Sequence, residues 1–102
     1  MTTPNKSERT ARESQILAAA LKLAVTHGYR SVTRDHIGQA IGVSPTLVSY
    51  VFKTMPNLRR DIMREAVRTE NLRVLAQGLA MRDPHARKAS PELRQRAAQT
   101  LA

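Results

Sequence analysis

The sequence predicts an all-α fold built from five helices. Apolar residues recur at the three-and-four spacing of a helix face, first at Ile16, Leu17, Ala20, Leu23 and Ala24. Residue types that start and end helices separate such segments, and the alternating pattern of strands is absent. A chain of 102 residues holds at most one domain of ordinary size. We predict that three helices form a compact unit and that two more extend from it.

The first predicted helix covers residues 10–27 and follows a polar, basic, flexible arm, residues 1–9. Thr10 and Glu13 have the spacing of a capping box, in which a hydroxyl and a carboxylate satisfy free N–H groups at the helix start. Gly28 suits the helix end, because glycine adopts the left-handed conformation common there. These signals predict one amphipathic helix.

A second, shorter helix is predicted over residues 34–41. Thr33 precedes it as the N-cap, and Asp35 places a carboxylate in the first turn, where the helix dipole favours it. Gly42 suits the left-handed residue that ends the helix, and Val43 can pack inward beside it. The sequence therefore predicts a sharp stop at Gly42.

A third helix, residues 45–52, follows almost at once. Ser44 is its predicted cap, and Pro45 fits the first helical position because its missing N–H is not needed there. Val48 is the predicted core residue of this helix. Two short helices joined by a tight turn form a helix-turn-helix, whose second helix lies in the DNA major groove with its N-terminal residues leading.

Two further helices are predicted after the polar pair Lys53-Thr54. The fourth starts at Met55-Pro56 behind the cap Thr54 and ends before Arg82; the fifth starts at Pro91. Their apolar stripes exceed what a small three-helix core needs, which predicts that residues 59–102 form a dimer interface. The interface residues are Leu72, Leu75, Leu79, Leu93, Ala97 and Leu101. Two alternatives stay open: the last helix folds back on the fourth in a monomer, or two monomers meet only on DNA.

The charge balance favours a polyanionic partner. Lys and Arg total 17 against 8 Asp and Glu, for a formal net charge of +9. Nucleic acid is therefore expected ahead of a membrane surface. The chain has no 18-residue apolar run and no hydrophobic centre of a signal peptide, so we expect no membrane partner and a cytoplasmic protein.

The residues expected of an enzyme are missing from the sequence. There is no cysteine, and His27, His36 and His85 are scattered without metal-ligand spacing. No glycine-rich phosphate loop is present, and capping explains Ser44. We therefore expect no catalysis, no metal and no cofactor.

The order of several residues resembles the N-terminal DNA-binding domain of the TetR family of transcriptional regulators, over roughly residues 10–65. The matching elements are Ile16-Leu-x-Ala-Ala20, Gly28-Tyr29, Val32-Thr33, Ile37, Gly42-Val-Ser44, and Phe52 with Leu58. Four positions depart from the family pattern: Gly38, Ser49, Val51 and Met55. The last stands where a lysine commonly opens the fourth helix, so some phosphate contacts must be lost or replaced.

The resemblance implies that Thr46, Leu47 and Tyr50 contact base edges or the thymine methyl group. It also implies phosphate contacts from the following residues: Thr33, Arg34, Ser44, Pro45 and Lys53. Physical reasoning agrees for the bases, because Thr46 and Tyr50 lie four residues apart on one helix face. Tyr50 packed against the first helix is the alternative.

The third helix contains no arginine or asparagine, so bidentate reading of guanine or adenine is not expected from it. Backbone contacts and DNA shape should then carry more of the recognition. A basic N-terminal group, Lys6, Arg9 and Arg12, is a candidate supplement to those contacts.

The sequence thus predicts a double-stranded-DNA-binding transcriptional regulator, a repressor acting as a homodimer. One alternative is an architectural or accessory DNA-binding protein of a mobile element; another is a helical interaction module or antirepressor without DNA binding. Family regulators usually carry a further helical domain with a ligand pocket, so no small-molecule effector is inferable for these 102 residues. We expect a naturally small regulator rather than a fragment, because the last helix has a proper start.

Overall fold

The computed structural model describes residues 6–100, and their side chains from residue 11 onward. Seven helices occupy this part of the chain: α1 (Lys6–His27), α2 (Arg34–Ile41), α3 (Pro45–Phe52), α4 (Met55–Arg68), α5 (Leu72–Ala80), α6 (Pro84–Arg87) and α7 (Pro91–Gln99). Between residues 6 and 100 there is no strand, which confirms the all-α class.

The start of α1 differs from the prediction. The helix begins at Lys6, so Thr10 lies inside it and the capping box with Glu13 is wrong. Residues 6–9 belong to the helix and not to an arm, because they contain neither glycine nor proline to interrupt it. Residues 1–5 of the predicted arm lie outside the described residues.

Helices α1, α2 and α3 pack together with α4 around one core. Ile16 and Ile37 are fully buried, Val48 is 1% exposed and Phe52 is 6% exposed. The prediction that Val48 is the core residue of α3 is confirmed. Burying such apolar side chains is the main source of stability in a domain of this size.

The predicted single helix from Met55 to before Arg82 is wrong, because the chain breaks between α4 and α5. Glu70 adopts a left-handed φ of 56°, and the Asn71 N–H donates to the Ala66 carbonyl at 2.8 Å. The Asn71 side chain then accepts from the Val74 N–H at 3.2 Å and caps α5. The apolar spacing runs through this break because both helices bury their apolar face in the same core.

The segment expected to be a turn contains the short helix α6. The Asp83 carboxylate caps it by accepting from the backbone N–H groups of His85 and Ala86, at 2.8 and 3.2 Å. Gly78 of α5 faces this helix closely, since a Cβ there would lie 2.7 Å from the Ala86 Cβ. The absence of a side chain at Gly78 lets α5 and α6 approach.

Helix α7 starts at Pro91 behind the cap Ser90, as predicted, and packs on α5 of the same chain. Leu75 and Ala97 are fully buried there, and Leu93 is 8% exposed. Their assignment to a dimer interface is corrected, because these three side chains already have their apolar cover within one chain.

Three hydrogen bonds join the α1–α2 region to α5 and α6. The Tyr29 hydroxyl donates to Asp83 Oδ2 at 3.0 Å, and the Tyr29 N–H donates to Gln77 Oε1 at 2.8 Å. Gln77 Nε2 in turn donates to the Ala24 carbonyl at 2.9 Å. The C-terminal helices are thereby fixed to the helix-turn-helix region. Among residues 6–100, no helix has the length and apolar character needed to cross a membrane.

Candidate nucleic-acid interface

The turn between α2 and α3 has the geometry that its sequence predicts. Gly42 is left-handed, with φ 72° and ψ 35°, and its N–H and that of Val43 donate to the Gly38 carbonyl at 2.8 and 3.0 Å. Ser44 Oγ accepts from the Leu47 N–H at 3.2 Å and caps α3. Both ends of the turn are therefore held by local hydrogen bonds, which fixes the angle between the two helices.

Helix α3 turns one face to the core and the other to solvent. Thr46 is exposed, Tyr50 is 56% exposed and Leu47 is half-buried. Packing of Tyr50 against α1, the alternative considered above, does not occur. The proposed base-contacting residues thus lie on the accessible side of a rigidly capped helix, and their contact with bases stays a prediction.

Lys53 ends α3 in a strained turn. Its backbone has φ 69° and ψ −59°, and the Thr54 N–H donates to the Phe52 carbonyl at 2.8 Å across it. This is a classic γ-turn, a rare and strained conformation for a residue with a side chain. The turn places the exposed Lys53 side chain directly behind the proposed DNA-reading helix.

The start of α2 is closed by a capping box that the sequence analysis missed. Thr33 Oγ1 accepts from the His36 N–H at 3.1 Å, and the Thr33 N–H donates to His36 Nδ1 at 3.4 Å. The His36 ring stacks on His27, with ring centroids 5.4 Å apart. Histidine at this position was not read as a capping residue because glutamate and glutamine usually fill it. The Thr33 hydroxyl proton remains available for a phosphate oxygen.

An open groove runs between the start of α2, the start of α3 and α4. It brings together four of the predicted contact residues, Thr33, Arg34, Pro45 and Thr46. Its remaining lining is Arg30, Val32, Asp35, Ser49, Met55 and Arg59. The other predicted contacts, Leu47, Ser44, Tyr50 and Lys53, lie outside this groove.

Two arginines of this groove, Arg30 and Arg59, were missed by the sequence analysis. Arg59 lies one helical turn beyond Met55 on α4. It is therefore a neighbour of the position where a lysine is common in the family pattern. Arg30 follows the end of α1 by only three residues, and nothing in that loop's sequence indicates where its side chain lies.

The acidic residues of α4 form ion pairs with arginines that do not line the groove. Among the side chains of residues 11–100, Arg60 and Arg64 pair with Asp61 at 3.1 and 3.7 Å, and Arg68 pairs with Glu65. Exposed pairs of this kind contribute little stability. These pairs occupy the acidic residues of α4, so Asp35 is the one carboxylate among the described residues that line the groove, against Arg30, Arg34 and Arg59.

The N-terminal basic residues are only partly visible. The side chains of Lys6 and Arg9 lie outside those described; the Arg12 guanidinium donates to Gln15 Oε1 at 2.8 Å along α1. Their contribution to DNA contact stays a prediction.

A comparison with protein families matches residues 16–62 to the family described as bacterial regulatory proteins, tetR family. The match begins in α1, contains the whole of α2, the turn and α3, and ends in α4. Residues 16–62 form a TetR-family domain. The chain therefore carries the helix-turn-helix of a family of DNA-binding transcription regulators. Comparisons with curated proteins and with solved structures find no match to the chain.

Two of the four departures from the family pattern, Met55 and Ser49, line the groove. Met55 lines the groove beside Arg59, so a cation stands one helical turn from the position where lysine is common. Ser49 is half-buried, and its hydroxyl donates to the Pro45 carbonyl at 3.3 Å on α3 itself. Its hydroxyl therefore already has a partner inside the helix.

Among the side chains of residues 11–100, no three His, Cys, Asp or Glu residues converge to hold a metal ion. His36 is used in the α2 cap, and Ser44 in the α3 cap.

Proposed function

We propose that this chain is a sequence-specific, double-stranded-DNA-binding transcriptional regulator that acts as a repressor. The observation that carries the proposal is the exposed face of α3 with Thr46 and Tyr50, held by caps at both ends within a TetR-family domain. Such a helix fits the major groove, which is wide enough to admit an α-helix. Bound at a promoter, the protein would block RNA polymerase in the bacterial cytoplasm.

We divide the contacts into reading and positioning groups. Thr46, Leu47 and Tyr50 read bases through hydroxyl hydrogen bonds and an apolar contact with the thymine methyl group. Phosphate contacts then fix the register of α3 on the duplex without carrying sequence information. The positioning residues are Thr33, Arg34, Ser44, Pro45 and Lys53, with Lys6, Arg9 and Arg12 as a supplement.

We propose that two copies bind one operator. A single domain of this type covers a few base pairs, and dimeric helix-turn-helix proteins place two recognition helices about 34 Å apart, one turn of DNA. With Leu75, Leu93 and Ala97 buried, the apolar surface that remains is the accessible part of Leu72 and Leu79, which lie seven residues apart on α5 and pack in part against the core. Leu101 lies outside the described residues. The occupant of this surface is a second copy of the chain.

Footprinting on the DNA upstream of the protein's own gene tests the regulatory function. Protection of a discrete site supports a regulator. Binding without a preferred site would instead indicate an architectural or accessory factor, and no affinity at low salt would indicate an interaction module.

Sedimentation of the wild-type chain and of the Leu72→Glu, Leu79→Glu double variant tests the dimer. We expect the wild type to dimerise and the variant to be monomeric. A Met81→Glu variant is the control, because Met81 is an exposed apolar residue, at 51%, that lies after the end of α5 and outside the proposed dimer surface. A wild-type chain that is monomeric and binds its site without cooperativity would refute the dimer.

A further inference from the structure

A second groove meets the α2–α3 groove and shares two residues with it. It lies between the loop after α1, the start of α4 and the turn between α5 and α6. Arg30 and Arg59 line both grooves, and the second groove continues to Arg82. Its other lining residues are Tyr29, Pro56, Arg60, Met81, Asp83, Pro84 and His85. A basic band, defined here as Arg30, Arg59 and Arg82, thus runs from the proposed DNA-binding face to the C-terminal helices.

Two carboxylates line these grooves: Asp35 lies in the α2–α3 groove, and Asp83, in the second groove, is already engaged. Asp83 accepts the Tyr29 hydroxyl through Oδ2, and the N–H groups of His85 and Ala86 through Oδ1. Arg60, the other arginine of the groove, pairs with Asp61. None of the ion pairs between side chains of residues 11–100 includes a residue of the basic band.

Arg59 carries an unsatisfied group at the centre of the band. Its Nε atom is buried and has no hydrogen-bond partner among the described residues. A buried donor left unpaired destabilises the protein, so an acceptor that reaches this N–H is favoured. Arginine binds phosphate oxygens with geometry that a compact ammonium group cannot match.

We propose that Arg30, Arg59 and Arg82 bind the DNA phosphodiester backbone and extend the contact from α2 to the turn between α5 and α6. The proposal rests on the DNA binding proposed above and adds a surface outside the matched domain, since Arg82 lies beyond residue 62. The C-terminal helices then lengthen the footprint on DNA as well as supplying the dimer surface.

The test measures the salt dependence of affinity for one duplex in Arg30→Gln, Arg59→Gln and Arg82→Gly. Each lost phosphate contact should lower the slope of log K against log salt by about 0.9, so the triple variant should lose about 2.7 for each bound copy of the chain. Arg82→Gly suits its site because Arg82 has a left-handed φ of 57°, which glycine adopts without strain. The footprint of Arg82→Gly should also shorten at both ends, because both copies on the operator carry the substitution.

Two control variants distinguish the loss of a phosphate contact from the loss of net charge and from a disturbance of the local packing. Arg73→Gln removes the same charge from an exposed residue that lines neither groove, and should leave the slope unchanged. Arg59→Lys keeps a positive charge at this position. Its salt slope should therefore be closer to that of the wild type than to that of Arg59→Gln. If Arg59→Gln fails to fold by circular dichroism, the slopes of Arg30→Gln and Arg82→Gly decide.

The outcomes distinguish this inference from the proposed function. A wild-type protein with no affinity for any duplex would overturn both. A wild-type protein that binds its site, with all three variants showing the slope of Arg73→Gln, would overturn the basic band alone.

Discussion

Replacing Lys53 by glycine should make the protein more stable and weaken its DNA binding. The γ-turn at φ 69° and ψ −59° costs a residue with a side chain roughly 1–3 kcal/mol, and glycine relieves that strain. Glycine also raises the entropy of the unfolded chain, which removes about 0.5–1 kcal/mol of the gain. The net stabilisation is about 1 kcal/mol, which corresponds to a rise in Tm of about 4–8 °C for a domain of this size.

The binding change comes from the lost charge. Removing this phosphate contact should lower the slope of log K against log salt by about 0.9 for each bound copy of the chain, on specific and random duplexes alike. Thermal unfolding by circular dichroism and fluorescence anisotropy across a salt series measure the two effects.

Lys53→Ala is the matched control for this variant, because alanine loses the charge and keeps the side-chain strain. It should lower the salt slope equally without raising Tm. A glycine variant no more stable than the alanine variant would show that the turn is unstrained. An unchanged salt slope in both would show that Lys53 does not contact phosphate.

Three further predictions concern single side chains. Arg34→Ala should weaken binding to specific and random duplexes about equally and lower the salt slope by about 0.9 for each bound copy; a loss confined to the specific site would contradict its positioning role. Thr46→Ala and Tyr50→Ala should each cost about 1–3 kcal/mol of specific binding by anisotropy and leave non-specific binding nearly intact; equal losses on both duplexes would contradict their reading role. Burial, together with the hydrogen bond to Asp83 and its charge, raises the pKa of Tyr29 from 10.0 to about 12. The contribution of the protonated Tyr29 phenol to the free energy of unfolding should be complete below pH 10 and lost as the pH rises toward 12. The reason is that the folded state holds the phenol proton more tightly than the unfolded state. Phenolate absorbance of a Tyr50→Phe variant follows this titration alone, since the chain has two tyrosines and no tryptophan; a midpoint near 10 in the folded protein would refute it.

Local sequence signals predicted the helix-turn-helix because its boundaries are set within a few residues. Thr33, Ser44 and Thr54 cap the helices that follow them, and Gly42 ends α2 in the left-handed conformation. Each of these features depends on hydrogen bonds between near neighbours in the chain. The exposed face of α3 followed from the same signals, since fixing the helix start also fixes which side chains share a face.

Errors arose where the deciding contacts are distant in sequence. The break near Asn71 was hidden because the apolar spacing continues through it from α4 into α5. The apolar face that contains Leu75 was predicted to pack on a second copy of the chain. It packs instead on α7 of the same chain, which follows α5 only after a short helix and two turns. Periodicity identifies an apolar face and does not identify what covers it.

The candidate site shows the same division. Thr46 and Tyr50 were found because they lie on one short helix. Arg30 and Arg59 were missed because they come from a loop and from α4, and only the packing of α1 against α4 brings them to one groove. The Tyr29–Asp83 hydrogen bond was hidden for the same reason, since 54 residues separate its partners.

Selection of bound sequences from random duplex DNA tests the central claim most directly. The wild-type chain should enrich one short palindromic site with half-sites about 34 Å apart, one turn of DNA, as expected for two copies of α3. The same selection with Thr46→Ala should relax the preference at defined positions within each half-site, while Arg73→Gln should enrich the wild-type site. Failure of the wild type to enrich any sequence, or enrichment of an identical site by Thr46→Ala, would contradict sequence reading by α3.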